Sequence, residues 1–120
     1  MNKICTSLEQ SKKLMELGID VDTSDMYWKN GVSYKYIQCF TPFVNSGTDI
    51  DYDYDIPAWS LSALLELMNV NEYKMALKYG NCSEYTMCFD DNYTFNSITK
   101  NDAIDSVFKM LVWLKENKKL

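Results

Sequence analysis

The chain has 120 residues, 47% of them apolar and 24% charged, with a net charge of −5. One domain is expected at that length, with roughly two-thirds of the unfolded surface buried. Histidine and arginine are both absent, so the usual neutral-pH proton shuttle and the bidentate carboxylate or phosphate fork are missing, which speaks against an enzyme.

The opening Thr6-Ser7-Leu8-Glu9-Gln10 holds two overlapping capping boxes, Thr6 with Glu9 and Ser7 with Gln10. Gly18 supplies a left-handed stop, so a first helix is expected over about 7–17. Its apolar residues Leu8, Leu14, Met15 and Leu17 make a narrow stripe, which predicts a surface helix. Asn30-Gly31 then reads as a hairpin turn, with Met26-Tyr27-Trp28 leading in and a strand from Val32 to Phe40 leading out.

From Asn45 to Ile56 the apolar period disappears, and the segment reads as an exposed loop. Pro57 reopens regular structure. Leu61, Leu64, Leu65 and Met68 recur at helical spacing behind Ser60, an expected N-cap, which predicts a helix over about 60–69. Tyr73, Met75, Leu77 and Tyr79 alternate with Lys74, Ala76 and Lys78, a strand with one wet face. A turn at Gly80-Asn81 leads to a second alternating strand, Tyr85, Met87 and Phe89. After Asp90-Asp91-Asn92, Tyr93 and Phe95 suggest a third.

The last helix, about 102–117, places Ile104, Val107, Phe108, Leu111 and Leu114 on one face. Its acids gather at the start and its lysines at the end, as the helix dipole favours. Trp113 is expected in the core. The whole predicts a single-domain α+β protein, α-β-β-α-β-β-β-α, with an antiparallel sheet of about five strands and three helices.

Charge is unevenly spread. Between Asp20 and Ile56 seven Asp face only Lys29 and Lys35. Without a basic stripe to release counterions from a phosphate backbone, no direct nucleic-acid binding is expected. Cys5, Cys39, Cys82 and Cys88 form no C-x-x-C pair and have no histidine to complete a zinc set. The chain opens polar and shows no apolar run of membrane-spanning length, so reduced thiols, a cytoplasmic location and no membrane contact are expected.

Two further segments carry a resemblance: Ile56-Pro57-Ala58-Trp59-Ser60-Leu61-Ser62-Ala63-Leu64-Leu65-Glu66-Leu67, and the closing stretch from Asp102 through Asn117. With Lys3 through Leu14, they resemble a group of small uncharacterised proteins of gut anaerobes and their prophages. That resemblance implies a mobile-element origin and a bacterial cytoplasm. It brings no activity, cofactor or catalytic residue.

The sharpest local feature is Asp49, Asp51, Asp53 and Asp55, which would share one face of an extended segment. Oxygen-rich settings suit hard cations, yet an EF-hand loop from Asp51 needs Gly at 56 and Glu at 62, where Ile56 and Ser62 stand. No metal or other cofactor is expected. Tyr52 and Tyr54 interleave with these acids, and Trp59 follows Pro57. Asp49, Asp51, Tyr52, Asp53, Tyr54, Asp55 and Trp59 therefore make a candidate interaction patch, since Tyr and Trp bury large rigid areas and keep a polar tip. The competing reading for Trp59 is a staple between helix and sheet.

No phosphate loop, nucleotide fingerprint or nucleophile–base pair is visible. The sequence thus points to a non-catalytic protein–protein interaction module with an unknown partner or with itself. The alternatives are an acidic inhibitor or DNA mimic, and a small enzyme or metal-binding protein using the Asp49–Asp55 loop.

Overall fold

The computed structural model describes residues 3–28, 43–44, 55–68, 74–80 and 83–120, without the side chains of 43, 44 and 74. The chain is α+β. It divides into two compact units, Ile4–Ala63 and Met1–Lys3 with Leu64–Leu120.

In the first unit, α1 spans Leu8–Glu16. Of the two capping boxes, the one that forms is Ser7 with Gln10: the Ser7 side chain accepts from the Gln10 amide, and the Gln10 side chain accepts from the Ser7 amide. Gly18, at φ 82°, closes the helix, with the Gly18 amide on the Met15 carbonyl and the Ile19 amide on the Leu14 carbonyl. Together these form the two-bond left-handed stop. The buried face is Ser11 and Leu14, and Met15 of the expected stripe is exposed. Ser11 can take an interior position because its hydroxyl meets the Thr6 hydroxyl at 2.8 Å.

Strands β1 (Met26–Trp28), β2 (Phe43–Val44) and β3 (Ile56–Ala58) form an antiparallel sheet in the order β2-β1-β3. The expected turn at Asn30-Gly31 and strand from Val32 to Phe40 lie outside the described residues. Ile56 is not the end of an exposed loop: it pairs with Trp28, and Pro57 pairs with Tyr27. Among the described residues β3 has a partner on one side only, a position where a proline without an amide donor is tolerated.

Helix α2, Leu61–Leu67, contains the boundary between the units. Ser60 is its N-cap, accepting from the Ala63 amide at 3.2 Å. Asp25 holds that cap, accepting from the Ser60 amide at 2.8 Å and from the Ser60 hydroxyl.

The second unit is the meander β4 (Lys74–Tyr79), β5 (Tyr85–Asp90) and β6 (Phe95–Lys100), packed under α3 (Ala103–Glu116). Among the described residues the strands lie in two three-stranded antiparallel sheets, where the sequence predicts a single sheet. Met87 and Phe89 point from β5 toward α3, where the Phe89 and Trp113 rings meet edge to face at 5.4 Å. Ile104, Val107, Phe108, Leu111 and Leu114 are buried as their spacing predicts. Asp102 caps α3, accepting from the Ile104 and Asp105 amides, while its other oxygen accepts from the Lys3 amide at 2.7 Å. Among the described residues, no helix is long and apolar enough to cross a membrane.

Candidate functional site

The connection between β5 and β6 is a four-residue loop whose four backbone amides are all hydrogen-bonded. Asp90 accepts from the Asn92 amide at 2.9 Å, and Asn92 takes the left-handed conformation, φ 73°, that asparagine tolerates. One Asp91 oxygen accepts from the Tyr93 amide at 2.9 Å and from the Thr94 amide at 2.6 Å. The Asp91 amide donates back to the Thr94 carbonyl at 3.2 Å.

The other Asp91 oxygen is bound by Lys119, Nζ to Oδ2, at 2.8 Å. Lys119 is brought there by the end of α3. Lys118 takes φ 56°, its amide meets the Lys115 carbonyl, and the Lys119 amide meets the Leu114 carbonyl. This is the two-bond stop seen at Gly18, here made by a lysine. The Lys119 hydrogen bond and then the Thr94 amide hold the Asp91 carboxyl down to about 2, against the opposing effect of burial. With its side chain only 6% exposed and both oxygens engaged, Asp91 fixes the loop rather than offering itself to a ligand.

That fixed loop and the first residue of β6 present two aromatic rings to water. Tyr93 is 96% exposed and Phe95 68%. Phe95 pairs with Asp90, so it lies on the sheet face opposite to Phe89 and α3. Ser97 and Thr99 continue that face along β6, and the Thr99 hydroxyl meets that of Thr86 at 2.8 Å. The surface offers broad apolar contact flanked by hydroxyls.

Of the residues expected in an interaction patch, Asp49, Asp51, Tyr52, Asp53 and Tyr54 lie outside the described residues. Asp55 and Trp59 are placed inside, at 3% and 0% exposure, and neither can belong to an exposed patch. Asp55 is drawn in where β3 begins. Trp59 exchanges backbone hydrogen bonds with Thr6, which donates its amide to the Trp59 carbonyl at 2.9 Å and accepts the Trp59 amide on its hydroxyl at 3.1 Å. The Trp59 indole donates to the Thr23 hydroxyl at 2.9 Å. Its polar tip, the reason for expecting a docking role, is satisfied internally.

Among the described residues, no three Cys, Asp or Glu side chains converge to hold a metal ion. Cys5 is buried and Cys88 half-buried as a free thiol, while Cys39 and Cys82 lie outside the described residues. Compared with protein-family models, with curated proteins and with solved structures, the chain matches none.

Proposed function

We propose that this chain is a non-catalytic protein–protein interaction module of a bacterial cytoplasm, carried by a mobile element, and that it docks through the β5–β6 loop. The observation that carries this reading is the exposure of Tyr93, on a loop held rigid by Asp91, and of Phe95 where β6 begins. A backbone already fixed in place loses little conformational freedom on binding, and aromatic residues dominate the energetics of interfaces. The cytoplasmic and mobile-element parts rest on the resemblance at Pro57-Ala58-Trp59-Ser60-Leu61.

The test is capture of partners by the tagged chain from a lysate of its host, beside a Tyr93→Ser/Phe95→Ser variant of equal melting temperature. A stoichiometric partner present with the wild type and lost with the variant supports the reading. A partner that survives the double change but is lost with Asp49→Asn, Asp51→Asn and Asp53→Asn overturns it in favour of an acidic mimic.

A further inference from the structure

Helices α1 and α3 end on the same two-bond stop, and the two stops are held in different ways. At α1 the left-handed residue is Gly18, and the residue after it, Ile19, is buried. At α3 the left-handed residue is Lys118, at φ 56°, and the residue after it is Lys119, whose Nζ reaches Asp91, 28 positions away in the chain. A side chain at such a φ disfavours the turn by about ten-fold relative to glycine. The charge-assisted hydrogen bond to Asp91 favours it by about ten-fold or more. These effects are similar in size and opposite in sign, so the stop at α3 can open where the stop at α1 stays shut.

The helix before this hinge is anchored. Leu114 is buried, the Trp113 ring meets Phe89, and the Trp113 carbonyl accepts from the Asn117 amide at 3.0 Å and from the Asn117 side chain at 2.8 Å. Opening is therefore confined to the residues after Asn117, and it leaves the core of α3 intact.

At the other end of the contact, Asp91 divides its two oxygens. Oδ1 accepts from the Tyr93 and Thr94 amides, and Oδ2 accepts from Lys119. A carboxylate this enclosed does not hold its place once its cation leaves, because an unpaired charge with so little access to water must turn outward. Turning outward takes Oδ1 away from both amides. The bonds from Asn92 to Asp90 and between the Asp91 amide and the Thr94 carbonyl do not involve that carboxylate, so the loss falls on Tyr93 and Thr94.

We propose that Lys118 and Lys119 form a strap, hinged at Lys118 and closing through Lys119 on Asp91, and that its closing sets whether the β5–β6 loop holds Tyr93 in place for docking. The regulatory part rests on the reading of this loop as a docking surface. Lys119 acts as a positioning residue: it orders the loop through Asp91, and its charge is the point at which the strap is controlled.

Amide exchange of the full chain, read residue by residue by NMR at neutral pH, tests the proposal. Lys119→Met keeps the apolar stem and removes the charge; it should quicken exchange at Tyr93 and Thr94 by about ten-fold or more and leave Val107 and Leu111, inside α3, unchanged. Lys119→Arg should restore the slow exchange. Lys118→Gly relieves the hinge and should slow the same two amides by about five-fold relative to wild type, since glycine returns part of the gain as lost chain entropy. Exchange at Tyr93 and Thr94 that ignores Lys119→Met, or that quickens equally at Val107 and Leu111, overturns the strap. If Lys119→Met fails to fold, an unchanged rate in Lys118→Gly overturns it instead. Should the strap fail while Tyr93→Ser/Phe95→Ser still loses a captured partner, the docking reading stands. Should exchange respond as expected while that double variant captures every protein the wild type does, the strap as an ordering device stands and the docking reading fails.

Discussion

Trp59 and the Tyr93–Phe95 pair occupy opposite situations, and the contrast shows what decides whether an aromatic residue is structural or available. Trp59 sits beside a proline and an acidic segment, yet its backbone and indole are satisfied by Thr6 and Thr23 and it has no exposed surface. Thr6 completes the knot: its carbonyl accepts the Trp28 indole at 2.9 Å and its hydroxyl meets Ser11. Tyr93 and Phe95 follow an alternating strand pattern that looks like core, yet they stand in water, on and just after a loop whose hydrogen bonds involve its backbone and not their rings. The partner of the polar tip and the parity of the loop decide the outcome, more than the residue type.

The contrast can be broken first at Trp59. Trp59→Ala should destabilise by about 3–5 kcal/mol, the usual cost of emptying a fully enclosed aromatic site, and chemical denaturation will measure it. Thr6→Val keeps the shape but leaves the Trp59 amide without its acceptor, and should cost about 1–3 kcal/mol by the same assay.

On the other side, Asp91→Asn sharpens the comparison through pH. The folded carboxyl, at about 2, lies below its unfolded value of about 3.9. Its stabilising contribution is therefore fully present above about pH 4 and lost as the pH falls through 2. The variant should be less stable than wild type at neutral pH and should lose this part of the acid dependence, as melting curves from pH 2 to 7 will show. An equally steep acid loss in the variant would remove Asp91 as the lock. The smallest effect belongs to Tyr93→Ser/Phe95→Ser: stability should change by no more than about 0.5 kcal/mol, as for exposed positions without structural partners.

Much of this was legible in the sequence because it depends on local chemistry. The Ser7–Gln10 box, the Gly18 stop, the Ser60 cap and the apolar spacing of α3 each use residues within one or two turns of one another, and each forms. What escaped depends on distant partners. Neither the meeting of Thr6 with Trp59 nor that of Asp25 with Ser60 leaves a periodic trace. The exposure of Phe95 did leave a signal in the loop length. With four residues between Asp90 and Phe95 the two share a face, and since Phe89 points inward, Phe95 must point out.

Hydroxyl-radical footprinting read by mass spectrometry, on the chain alone and in its associated state, tests the central claim most directly. Tyr93 and Phe95 should be oxidised readily in the free chain and should be protected on association, while Trp59 stays unreactive in both. Rapid oxidation of Trp59 in the folded chain, or a Tyr93 and Phe95 pair whose reactivity does not change on association, would contradict it.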